Sequence, residues 1–170
     1  MTVHHDIHTS DAALAEEIRG HHTGMVAELR SLTDRLETAT GDEAPEARGR
    51  LAAWFHEVLV PHVDEEEFTT YRAAAALPEG RLLIEGMQRE HVLIKGLVGH
   101  FEAAEDLTIA AAFARAVYEA FDIHQGKEND IILPLLVESP SVALTEVMGH
   151  AHGHHQVGEH HHPGHEHHGH

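Results

Sequence analysis

The stretch AVYEAFDIHQGKENDIILPLL, residues 116–136, decides how the chain is read. Val117, Phe121, Ile131 and Leu135 recur at the three- and four-residue steps of one helix face. His124 and Glu128 sit on the same stripe, where apolar side chains are due. Three other stretches repeat the pattern. Ile18, His22, Met25, Leu29, Leu32 and Leu36 form one stripe. Phe55, Leu59, His62, Glu66 and Thr69 form a second, and Ile84, Met87, His91, Ile94, Val98 and Phe101 a third. Each core-facing stripe carries one histidine, and two carry a glutamate one turn further on. The fold expected is all-α: an up-and-down antiparallel four-helix bundle with polar groups at its centre.

Punctuation in the sequence sets the bounds. The first helix is expected over about 11–38, after the cap candidates Thr9, Ser10 and Asp11. Gly41 and Pro45 interrupt the pattern, and the second helix follows over about 46–76. Pro61 lies within it, removes one helical hydrogen bond and should bend it beside His62. Leu77-Pro78-Glu79-Gly80 reads as a turn before a third helix over about 81–105. The fourth runs from near Thr108 to Pro134 or Val137, and a weak helical pattern covers 141–148. The short connections favour antiparallel neighbours.

Composition bounds the function. The 170 residues suffice for one domain, and only 5% are aromatic. Val, Ile and Thr are sparse beside Ala, Leu and Glu, which favours helix. The 29 acidic against 11 basic residues give a net charge of -18, which repels nucleic acid and anionic membrane and attracts cations. No apolar run is long enough to span a bilayer, no secretory signal is visible, and the chain has no cysteine, so the cytoplasm is the default compartment. Eleven of the last 22 residues are histidine. Residues 149–170 are therefore expected to be a disordered metal-binding tail with affinity for nickel, zinc or copper, and 9–148 the folded domain.

A lone histidine on an apolar stripe is most simply a hydrogen-bonded core residue. Four helices each offering one, with two carboxylates added, require a shared partner, because buried polar groups cost stability unless satisfied. In His62-x-x-x-Glu66 and His124-x-x-x-Glu128 the paired side chains share a face, about 6 Å apart along the axis. That spacing lets an imidazole hold one ion while the carboxylate reaches a second. A donor set of imidazole and carboxylate without sulfur suits iron or manganese, with zinc as a competitor.

The order His22, His62-x-x-x-Glu66, His91, His124-x-x-x-Glu128, in the settings PHVDEEEFTTY, REHVLIKGL and IHQGKENDIILPLL, resembles the haemerythrin-like HHE cation-binding domain. The resemblance covers about residues 10–138. It implies a bundle holding two non-haem iron ions, with His22, His62, Glu66, His91, His124 and Glu128 as ligands. It also implies binding of dioxygen or related molecules such as peroxide or nitric oxide. Two departures stand out. Oxygen carriers of the family have a second histidine one turn after the third-helix histidine, where this chain has Lys95, and they end on His-x-x-x-x-Asp. The first departure is expected to leave the iron nearest the third helix with an open position, and to favour peroxide chemistry or sensing over reversible oxygen carriage.

Other residues carry simpler readings. His21 lies off the stripe and is expected at the rim. Asp64, Glu65 and Glu67 read as a solvated acidic face, with Glu65 as the minority bridge candidate. Trp54, Phe55, Phe68, Tyr71 and Phe121 read as core packing, Tyr118 as structural, and His56 and His100 as exposed. Three functions remain: a small-molecule binder, an enzyme that decomposes peroxide or oxidises iron, and a metal-handling protein relying on its tail.

Overall fold

The structure is a computed structural model that describes the backbone of residues 2–153 and the side chains of residues 10–149. All its regular elements are helical, with no strand among the described residues. They are α1 (Thr2–Thr38), α2 (Glu43–Trp54), α3 (Val60–Phe68), α4 (Thr70–Ala75), α5 (Arg81–Ala103), α6 (Leu107–Lys127), α7 (Leu133–Glu138) and α8 (Leu144–Gly153). No described helix is long and apolar enough to cross a membrane.

The second and fourth expected helices are not continuous. A π-helical turn, Phe55–Leu59, joins α2 to α3, and another, Glu128–Ile132, joins α6 to α7. Each is closed by an i→i−5 hydrogen bond, Val60 N–H to Phe55 O and Leu133 N–H to Glu128 O. A proline follows immediately in both cases, Pro61 and Pro134. Proline lacks an N–H and its ring clashes with the carbonyl four residues back, so one extra residue in the preceding turn relieves the misfit. The second extra residue shifts the register: Ile131, expected in the core, is 48% exposed, and Ile132 is buried instead. Thr69, at φ −112° and ψ −100°, separates α3 from α4.

Two smaller expectations change. The helix runs straight through Ser10 and Asp11, and its start at Thr2 leaves Thr9 no capping position. Buried Asp11 instead accepts from the backbone N–H and the hydroxyl of Thr145, both at 2.9 Å, and so caps the first turn of α8. That helix continues to Gly153, past the expected start of the tail. The expectation of disorder and metal binding for 154–170 lies outside the described residues. Asp106 caps α6, accepting from the N–H groups of Thr108 and Ile109. Gly41 has φ +56°, which favours glycine between α1 and α2. Gly80 is needed for another reason, since a Cβ there would lie 2.1 Å from Ala74 O.

α1 packs against α2, α6 and α7, α5 against α6 and α4, and α8 against α1 and α4. Buried apolar side chains fall into two clusters. One holds Met25, Leu29, Phe55, Val63, Ile94 and Phe121 among others; the second holds Ala15, Tyr71, Met87 and Ile132 among others. The polar stripe residues lie between them on every stretch. Passing along the chain, α1 runs from the second cluster to the first, α3–α4 from first to second, α5 from second to first, and α6–α7 from first to second.

Candidate metal centre

Between the clusters, the structure brings all six stripe residues together. Ligand atoms of His22, His62, Glu66 and Glu128 lie within 4.8 Å of one another, and so do those of Glu66, His91, His124 and Glu128. The two groups of four share both carboxylates. Glu66 Oε1 lies 3.1 Å from His62 Nε2 and 3.4 Å from His22 Nε2. Glu128 Oε1 lies 3.2 Å from His124 Nε2, and its Oε2 lies 3.9 Å from His22 Nδ1.

The outer edges of three rings are tied down. His22 Nδ1 meets Asn129 Oδ1 at 2.8 Å, His91 Nδ1 meets Glu67 Oε1 at 2.9 Å, and His124 Nδ1 meets Glu90 Oε2 at 2.9 Å. Glu90 is held in turn by Lys127. Such contacts fix the ring and place the proton on Nδ1, leaving the Nε2 lone pair for the interior. The Nε2 atoms of His91 and His124 then face each other at 2.9 Å. Two lone pairs at that distance repel unless a proton or a metal cation lies between them. Glu66 Oε2 is buried without a hydrogen-bond partner, and His91 Nε2 stands 3.7 Å from it, too far for one. An orphaned carboxylate oxygen and converging imidazole lone pairs are what a bound cation would satisfy, so these residues fit one.

The electrostatics run the same way. Burial alone would raise the pKa of Glu66, but the neighbouring imidazoles, His62 nearest among them, hold it well below the usual carboxylate range. Burial would lower His62, yet Glu66 outweighs it and the ring is raised; His124 is raised against burial by Glu128 and Glu90. Burial and the Glu128 carboxylate push the Tyr71 phenol upward.

Several residues read otherwise from the sequence belong here. Glu67, expected on a solvated face, orients His91 across the contact between α3 and α5. Tyr71 is buried, but its hydroxyl donates to Glu128 and lies 3.0 Å from His124 Nε2. Gln125 donates to Glu128 Oε2 at 2.6 Å. Phe68, expected in the core, is 78% exposed, because it lies two residues and about 200° beyond Glu66. His21 is at the rim as expected, edge-on to His62 with centroids 5.7 Å apart. Glu65 lines the same rim and does not join the cluster. His56 and His100 are exposed. Lys95 turns outward to pair with Asp64.

A cavity of about 260 Å³ reaches the cluster. His22, His62, Glu66 and Glu128 form its floor, and Ile18 and Met148 lie in its apolar wall. His91 and His124 do not reach it and are fully buried. The side of the cluster that this cavity meets is the one served by α1 and α3.

The hemerythrin HHE cation binding domain family matches residues 13–136 of the chain. No curated protein and no solved structure matches it.

Proposed function

The chain belongs to the hemerythrin HHE cation-binding family, and on that premise we propose that it is a di-iron protein that binds dioxygen or a related small molecule. In this reading the helices form an up-and-down antiparallel four-helix bundle, which the alternating order of the apolar clusters along successive helices supports. His22 and His62 would hold one iron and His91 and His124 the other, with Glu66 and Glu128 available to both. Iron held there would supply redox capacity and Lewis acidity. The residues do the rest. Glu67, Glu90 and Asn129 fix the rings, and Gln125 and Tyr71 hold Glu128 in place. The cavity admits a small ligand at the His22–His62 side.

The single observation that carries this reading is the pair of four-residue clusters sharing Glu66 and Glu128. A peroxide-decomposing or iron-oxidising enzyme is the second reading, favoured by the open cavity and by Lys95 facing away from the centre. Storage of metal through the histidine-rich 149–170 segment is a third role, and a cytoplasmic location is proposed with all three. Metal analysis with optical spectra, before and after oxygen and then peroxide, separates them. Two irons per chain and a spectral change with oxygen support binding. Gas evolution from peroxide points to the enzyme. Protein grown with ample iron that carries none would defeat the reading.

A further inference from the structure

The reading above assigns six ligands, all histidine or glutamate. A seventh group lies among them. Tyr71 Oη touches two donor atoms of the sealed cluster, Glu128 Oε1 by hydrogen bond and His124 Nε2 at 3.0 Å. Its ring lies flat on His91, with centroids 4.9 Å apart and planes at 11°. The side chain is 1% exposed, so it has no solvent-facing position to swing into.

We propose that Tyr71 is a ligand, bound through its oxygen as tyrosinate to the ion held by Glu66, His91, His124 and Glu128. The inference rests on the di-iron reading and deepens it. Two donors about 2.0–2.1 Å from one ion and at right angles to each other lie about 3 Å apart. That is the separation between His91 Nε2 and His124 Nε2, 2.9 Å, and between His124 Nε2 and Tyr71 Oη, 3.0 Å. The phenol oxygen therefore stands where an adjacent ligand of the same ion would stand. As the metal–oxygen bond forms the O–H bond breaks, and the proton leaves to solvent, as it does whenever a protonated group becomes a metal ligand. No electron is transferred. Coordination by oxygen suits iron, a metal that accepts imidazole and hard oxygen donors together.

The backbone break at Thr69 makes this position available. On an unbroken helix Tyr71 would lie five residues and about 140° around from Glu66, off the ligand face. The break between α3 and α4 turns it inward, and Thr69 fixes the local geometry by donating its hydroxyl to Glu65 O at 2.9 Å.

A residue that only hydrogen-bonds to Glu128 would give no electronic signature, whereas tyrosinate on ferric iron gives a visible charge-transfer band and resonance-enhanced ring vibrations. The chain has two tyrosines, and the second, Tyr118, has Arg115 over its ring, so its substitution serves as the control. The experiment is resonance Raman and optical spectroscopy of the full-length ferric protein, of Tyr71→Phe and of Tyr118→Phe, each with iron analysis. The expected result is tyrosinate modes in the wild type that shift with ring-deuterated tyrosine, survive Tyr118→Phe and are lost in Tyr71→Phe while its iron is retained. Iron-loaded wild type without those modes, or Tyr71→Phe with them intact, overturns the proposal and leaves the di-iron reading standing. Absence of iron from the wild type overturns both. If Tyr71→Phe folds poorly, the wild-type spectrum with labelled tyrosine decides alone.

Discussion

The two halves of the polar layer share their carboxylates but not their surroundings. His91 and His124 are fully buried, with Glu67 and Glu90 behind them and Tyr71 across their inner edge. His22 and His62 form the floor of a cavity, and the side chain of His62 keeps 13% of its surface exposed. One half is therefore built as a fixed scaffold and the other as the face that meets the outside. A site assembled from chemically matched halves becomes directional through what is packed around it.

The strongest way to break this contrast is to remove what the halves share. Glu66→Ala should empty both halves together, lowering iron to near zero in metal analysis. It also leaves partly buried His62 without the carboxylate it meets at 3.1 Å, which should cost about 1–3 kcal/mol in chemical denaturation. Loss of only one iron would show that Glu66 serves one half.

A second measurement sharpens the contrast. His62→Ala and His124→Ala should each lose iron, but added imidazole should restore it only in His62→Ala, because only that position opens to the cavity. Equal rescue at both positions would remove the distinction between open and sealed halves. The smallest effect should come from Lys95→Ala. Its exposed pair with Asp64 is worth about 0–1 kcal/mol, and the iron spectrum should stay as in the wild type, since the amine faces away from the centre. A marked change in the spectrum would mean that Lys95 reaches the centre in solution.

The stripes made much of this legible in the sequence. The α5 stripe is buried from Ile84 to Phe101 as read, because nothing interrupts its 3.6-residue period. The six histidines and glutamates converge for the same reason. What stayed hidden lies where the period breaks. Ile131 moved outward through an extra residue in a π-turn, and the hydroxyl of Tyr71, a residue expected in the core, meets the ligand cluster past the break at Thr69. Pro61 and Pro134 were the available signals for the turns, but proline marks a disturbance without saying how the chain absorbs it. Glu67 and Glu90 were invisible for a different reason. They act across helix contacts, and no spacing within one helix encodes a partner on another.

The π-turns also work as slip joints. Removing one residue from Phe55–Leu59 would restore an unbroken α-helix and swing His62 and Glu66 by about 100° relative to Leu51. The same deletion in Glu128–Ile132 would leave His124 in place and swing Ile132 and Leu136 instead. One joint sets the ligands against the packing that precedes them, and the other sets the packing against ligands already placed. A single-residue length change would thus displace two ligands at the first joint, and at the second would swing the apolar end and disturb Asn129 behind His22.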